Sequence, residues 1–160
     1  MATATATLPQ AATEQLKLSV TRTIRAPRAR VFRAWTDLAV LSQWFGPEGF
    51  HVAGVEIDLR IGGTYRIEMT QEADPEKRSV ATGEYRQIVP NERLQFTWTG
   101  CWRAGETSLV TVTFRDADAT RNSTEVTILH EQIAAADSTL GYERGWTGSL
   151  NKLGALLEAR

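Results

Sequence analysis

Residues Ser138–Glu158, STLGYERGWTGSLNKLGALLE, decide the fold. On a 3.6-residue helical wheel Tyr142, Trp146, Ser149, Leu150, Leu153, Leu156 and Leu157 share one face, and Glu143, Arg144, Thr147, Asn151 and Glu158 share the other. The spacing predicts a long amphipathic helix with a wide apolar stripe. Gly141, Gly145 and Gly148 run along one flank of that stripe, and each glycine inside a helix costs about 1 kcal/mol relative to alanine. Contacts outside the helix must offset that cost. Two arrangements do so: the glycines let the helix lie close against a sheet, or they leave room beside Tyr142 and Trp146 for a bound molecule.

Upstream of this helix the period changes to two. In LKLSVTRTIR, residues 16–25, Leu16, Leu18, Val20, Arg22 and Ile24 alternate as in a strand with one covered face. Ala26-Pro27 ends it, and Val31, Phe32 and Trp35 return at helical spacing to about Thr36. Asp37 is placed to cap a second short helix through Leu38, Leu41 and Trp44, stopped by Gly46-Pro47. From Phe50 to Glu131, turn signals cut an alternating pattern into about six strands. In FHVAGVEIDLR the apolar parity switches at Gly54, which predicts a bulge there. Gly62-Gly63 makes a tight connection into TYRIEMT, and QEADPEKRS reads as an exposed loop. Leu94, Phe96 and Trp98, then Val110, Val112 and Phe114, then Val126, Ile128 and His130 are the inward candidates of the later strands. The predicted class is therefore α+β: strand, two short helices, six strands, long helix, with a curved antiparallel sheet of about seven strands wrapped around the terminal helix that covers it.

Composition narrows the partners. Lys+Arg 18 against Asp+Glu 19 gives a net charge of -1, so no general attraction draws the chain to nucleic acid or anionic lipid. Cys101 is the single cysteine, which excludes an intrachain disulfide and suits a reducing, cytoplasmic setting. No stretch approaches the roughly 20 apolar residues of a membrane span. The start, MATATATLPQAATEQ, lacks a basic segment followed by an apolar run and is not a secretion signal. Residues 1–14 are expected to be a disordered tail, and 15–160 one domain.

The order of elements resembles the helix-grip fold of the START-like, or SRPBCC, superfamily. Arg25-Ala26-Pro27 with Val31-Phe32-Arg33-Ala34-Trp35-Thr36, Leu41-Ser42-Gln43-Trp44-Phe45-Gly46-Pro47, Asp58-Leu59-Arg60-Ile61-Gly62-Gly63, Gly83-Glu84-Tyr85, Glu92-Arg93-Leu94, the 124–131 stretch TEVTILHE and Gly141-Tyr142-Glu143-Arg144-Gly145-Trp146 together resemble the stand-alone bacterial relatives of the heat-shock protein 90 ATPase activator. The likeness spans roughly Leu16 to Glu158. It departs at Phe45, where a second tryptophan is commoner in that family.

The resemblance implies a cavity between the inner sheet face and the terminal helix. The residues agree independently: Trp44, Phe45, Trp98, Trp102, Tyr142 and Trp146 supply more aromatic surface than a minimal core needs. Tyr65, Met69, Tyr85, Phe114, His130, Gly145 and Leu150 complete the expected ligand-binding wall. The same residues also fit ordinary core packing. Glu68 and Arg66, with Tyr65 and Tyr85, are placed to bring polar atoms near the cavity, as in cyclase and aromatase relatives.

His130 is the one candidate acid or base, set against a structural histidine with satisfied hydrogen bonds. Glu131 alternates to the opposite face and forms no dyad with it. His51, His130 and Cys101 lack zinc-ligand spacing, so no metal is expected, and no glycine-rich phosphate loop or other cofactor motif is present. Arg22, Arg25, Arg28, Arg30 and Arg33 form a basic run without the aromatic interleaving of a nucleic-acid surface. Three functions follow: a binder of a small apolar or amphipathic molecule, a module that contacts a heat-shock chaperone, and an enzyme of cyclase, aromatase or hydrolase type using cavity polar groups. An exposed outer sheet face is compatible with a homodimer.

Overall fold

A computed structural model describes residues 16–100, 106–134 and 136–159. The expected tail over 1–14, and Cys101 and Trp102, lie outside the described residues. Strand β1 (Leu16–Ile24) leads into helices α1 (Arg28–Thr36) and α2 (Leu38–Leu41). Strands β2 (Phe50–Ile57), β3 (Thr64–Gln71), β4 (Arg78–Val89), β5 (Arg93–Thr99), β6 (Thr107–Asp116) and β7 (Thr124–Ile133) follow, and helix α3 (Ala136–Glu158) closes the chain. The seven strands form one curved antiparallel sheet in the order β1-β7-β6-β5-β4-β3-β2. Strands adjacent in sequence from β2 to β7 are adjacent in space, as short connections require, and β1 closes the far edge beside β7.

Local chemistry explains the elements. Pro27, extended at φ -67° and ψ 156°, precedes α1 as its cap and not as its first helical residue. Asp37 ends α1 and starts α2, its Oδ1 accepting from the N–H of Ala39 at 2.9 Å and of Val40 at 3.4 Å. The Val40 bond is the largest influence holding this carboxyl below the usual aspartate range. Helix α2 is shorter than expected, stopping at Leu41, and Trp44 sits in the turns beyond it. The parity switch in β2 is a bulge between Val52 and Gly54 against β3. Inward residues of β5, β6 and β7 alternate as predicted, and Leu94, Phe96, Trp98, Val110, Val112, Phe114, Val126, Ile128 and His130 are all buried.

The apolar stripe of α3 is also as read, with Trp146, Ser149, Leu150, Leu153 and Leu157 buried. Of the helix glycines only Gly154 faces the sheet, at Arg22 of β1, whereas Gly141, Gly145 and Gly148 do not. A Cβ on Gly148 would lie 3.0 Å from the backbone N of Glu48, so α3 packs closely against the loop between α2 and β2. The strand neighbours of α3 are β1 and β7. Over β3, β4 and β5 the sheet is covered mainly by Trp35 of α1, Leu41 of α2 and Phe45 of the loop that follows, with Trp146 of α3 reaching Trp98 at the end of β5.

Candidate ligand cleft and the histidine beneath it

The loop after α2 forms one lip of a cleft. Gly46 turns the chain at φ +110°, where a side chain would be strained and its Cβ would stand 3.1 Å from Met69 Sδ. Lys152 on α3 then donates from Nζ to the carbonyls of Pro47 at 3.2 Å and Phe50 at 2.9 Å, fixing the lip to the helix. Partial burial pulls the Lys152 pKa down, and Glu48 and Glu72 pull it part of the way back.

Between lip and helix lies about 490 Å³ of space outside protein atoms, open to solvent, of which about 50 Å³ admits the centres of water-sized molecules. Its wall is built by Phe45, Pro47 and Phe50 of the lip, Met69 and Ser79 of the sheet, Trp98, and Gly141, Tyr142, Gly145, Trp146 and Ser149 of α3. Apolar groups dominate, and no charged side chain is among them. Gly145 leaves real room: a Cβ there would meet only Pro47 Cγ, at 3.7 Å.

Aromatic rings close the floor. Trp98 and Trp146 meet at 5.1 Å, Phe45 stands edge-on to Trp146 at 5.9 Å and to Trp35 at 6.2 Å, and Trp35 packs on Trp44 at 4.9 Å. Beneath them is a second, inner void of about 20 Å³, lined by Trp35, Leu41, Phe45, Tyr65, Ile67, Tyr85, Leu94, Phe96 and Trp98. Phe45 and Trp98 border both spaces.

His130 lies fully buried below this floor at 0% exposure. The indole of Trp146 can only donate, and its Nε1 is 3.0 Å from His130 Nδ1, so Nδ1 is the unprotonated acceptor. The ring proton therefore sits on Nε2, which donates to Ser108 Oγ at 2.6 Å. The Ser108 hydroxyl donates in turn to the Trp98 carbonyl at 3.3 Å. Tyr142 stacks on the imidazole, centroids 4.3 Å apart and planes 29° from parallel. Every polar atom of the relay is paired, and desolvation pushes the His130 pKa down to about 3. This neutral, enclosed imidazole ties α3 to the sheet, with both ring nitrogens engaged by protein groups and neither bordering the cleft.

Tyr65 is held by a different device. Its partner across β3 and β4 is Gly83, and the phenol crosses that glycine to donate to the Thr97 carbonyl on β5 at 2.6 Å. The β4–β5 ladder lacks paired residues between Thr82 and Tyr85, where the Glu84 N–H donates to Thr97 Oγ1 at 2.9 Å, and its register shifts just beyond, between Tyr85 and Gln87. A Cβ on Gly83 would fall 1.9 Å from the Thr97 oxygen and 2.5 Å from the Tyr65 ring. Burial raises the Tyr85 phenol pKa well above its usual value.

Of the residues expected at the ligand wall, the cleft assembles Phe45, Met69, Trp98, Tyr142, Gly145 and Trp146. Tyr65 and Tyr85 border only the inner void of these two spaces. Trp44, Phe114, His130 and Leu150 line neither. Trp44 donates to the Ala34 carbonyl at 3.0 Å, Phe114 packs edge-on to Phe32 at 5.4 Å, and Leu150 is 1% exposed in the core. Arg66 and Glu68 do not approach the cavity. They alternate to the outer sheet face, where Glu68 pairs with Arg66 and Arg78. Four of the five arginines in the basic run pair within the chain, Arg22 and Arg25 with Glu158, Arg28 with Asp116 and Arg33 with Asp37. The cleft also takes Gly46, Pro47, Phe50, Ser79, Gly141 and Ser149, which the expected ligand-binding wall does not name. Two carried a readable signal: Ser149 lies on the apolar wheel face one turn beyond Trp146, and Gly141 continues the flank of Gly145. Among the described residues no group of three metal-type side chains gathers, and no helix is long and apolar enough to cross a membrane.

Residues 25–158 match the family model described as "Activator of Hsp90 ATPase homolog 1-like protein". A solved Chromobacterium violaceum protein is 31% identical, with a TM-score of 0.75 over 89% of this chain and 96% of that one. A Silicibacter pomeroyi protein is 27% identical, with a TM-score of 0.76 over 90% and 99%. Comparison with curated proteins gives no significant match.

Proposed function

Because the chain belongs to the Activator of Hsp90 ATPase homolog 1-like family, whose scaffold leaves the task open, we propose that it binds a small apolar or amphipathic molecule in the cleft between lip, sheet and terminal helix. One observation carries this reading. The wall is apolar and aromatic, opens to solvent, and keeps room beside Gly145 although a side chain would fit there and would strengthen the helix.

The volume sets the kind of occupant. About 50 Å³ of water-accessible space is less than half of the roughly 150 Å³ that holds benzene in an enclosed apolar cavity. A ligand therefore anchors one end here and extends toward solvent, or gains depth when the Phe45 ring turns. Native mass spectrometry of freshly purified protein tests for a retained molecule. A thermal-shift screen of lipids and aromatic compounds adds the energetic arm: a ligand at about a hundred times its Kd stabilises by about 2.7 kcal/mol. Gly145→Leu fills the cleft and should abolish the shift. No retained mass and no shift with any compound would refute the reading.

The family description supports a second reading, contact with a heat-shock chaperone through the outer surface. Retention of that chaperone in a pull-down, with stimulation of its ATPase unaffected by Gly145→Leu, would favour it. The third reading, an enzyme using cavity polar groups, draws no support from His130, whose two ring nitrogens are paired with Ser108 and Trp146.

A further inference from the structure

One arginine of the basic run keeps its charge unanswered. Arg22, Arg25, Arg28 and Arg33 each meet a carboxylate, whereas the half-buried Arg30 guanidinium has no carboxylate or carbonyl partner among the described residues. Arg30 and Arg33 stand one turn apart on α1 and so share a face of that helix. That face borders a hollow between the three helices, walled by Arg30, Arg33, Val40, Gln43, Leu156 and Leu157. The wall divides by chemistry: Val40, Leu156 and Leu157 are its apolar members, and Arg30, Arg33 and Gln43 carry its polar side-chain atoms. Gln43 donates from its amide to the Ala39 carbonyl at 3.2 Å, and Arg33 Nε is on Asp37 at 3.3 Å. Glu158, next along from Leu157, is held by Arg22 and Arg25. No acidic side chain lines the hollow, so its uncompensated charge is positive.

The hollow is roomier than the cleft. About 230 Å³ of it admits the centres of water-sized molecules, against about 50 Å³ beside Gly145, so a guest enters without any ring turning. We infer that it is a second binding site, for a small amphipathic anion whose oxyanion head meets the Arg30 guanidinium and whose short apolar tail lies along Val40, Leu156 and Leu157. A guanidinium presents a planar fork of N–H donors that matches carboxylate or sulfate oxygens two at a time. Partial burial beside apolar carbon reduces the screening that leaves a fully exposed ion pair worth little. A cation is repelled here, and a neutral alcohol leaves the charge unmet. The site is distinct from the cleft: no residue lines both, and Leu156 lies seven residues beyond Ser149, about 10 Å along α3. The cleft offers no charged side chain, so an anion discriminates between the two.

Hexyl sulfate, 1-hexanol and inorganic sulfate, titrated separately into the intact protein and followed in ¹H–¹⁵N spectra, divide head from tail. Hexyl sulfate should bind about ten-fold more tightly than either of the others, the worth of one charge-assisted contact. It should move the Arg30 side-chain N–H and the backbone amides of Val40, Gln43, Leu156 and Leu157. Arg30→Gln should reduce its affinity about ten-fold and leave that of 1-hexanol unchanged. Arg30→Lys keeps the charge and loses the fork, and its affinity should fall between those of wild type and Arg30→Gln. Gly145→Leu, which fills the cleft, should change nothing here. Hexyl sulfate binding no tighter than 1-hexanol, or undiminished in Arg30→Gln, would overturn the site. So would inorganic sulfate binding as tightly as hexyl sulfate, or shifts confined to Tyr142 and Trp146. Each of those results leaves the cleft reading standing, since that reading is refuted only by its own screen.

Discussion

Acid should loosen the link between α3 and the sheet through one residue. His130 is neutral in the folded protein because Nδ1 receives the Trp146 indole proton at 3.0 Å and burial disfavours a charge. Protonation would set two donors face to face across that bond. An unfolded histidine titrates at its ordinary value of 6.5, and the folded one at about 3. Between those values the unfolded chain binds more protons than the native one, so stability is fully present above about pH 6.5 and falls as pH drops toward 3. The slope approaches about 1.4 kcal/mol per pH unit, giving a loss of roughly 1.4 kcal/mol at about pH 5.5 and roughly 3 kcal/mol at about pH 4. His130→Gln retains an acceptor and a donor but cannot titrate. Urea denaturation of both proteins across this range should show a starting deficit for the variant that narrows as acid erodes the wild type. Curves that stay parallel from neutral pH to about pH 4.5 would refute the assignment, since carboxylates elsewhere act equally on both proteins.

The helix glycines make a graded series. Gly141→Ala meets no atom within 4 Å and Gly145→Ala only Pro47 Cγ at 3.7 Å, so each should add up to about 1 kcal/mol of helix stability in urea melts. Gly148→Ala would press on the Glu48 backbone at 3.0 Å and should show no such gain; a gain equal to the other two would contradict the close approach of helix and lip. In the sheet, Gly83→Ala should cost about 3 kcal/mol through overlap with the Thr97 carbonyl and Tyr65. Tyr65→Phe should cost about 1 kcal/mol, and the pair should be strongly non-additive in a double-mutant cycle.

Periodicity made the backbone legible. The helical stripe ending in Leu153 and Leu157, the alternation from Leu94 to Trp98 and the parity switch at Gly54 each follow from a repeat that burial imposes on the chain. The site was harder to see, because alternation says which face a ring occupies and not whether it finds a neighbour there. Trp44 and Phe45 are adjacent in sequence, yet one is sealed on the Ala34 carbonyl while the other borders the cleft. Nothing in their spacing separates them. His130 read equally well as a reagent and as a strut until Ser108 and Trp146, 22 and 16 residues away, were seen on its two nitrogens. Pro47 was read only as a helix stop, whereas its carbonyl is held by Lys152, 105 residues later.

The short helix-and-loop segment between Asp37 and Phe50 is fastened at one end by a carboxylate cap and at the other by a lysine, and between those anchors it delivers Trp44 and Phe45 to the interior. Secured in this way, the segment reaches the sheet through the Phe45 ring against Trp98, and exchanging that ring changes what fills the space above the strands without breaking a ladder hydrogen bond.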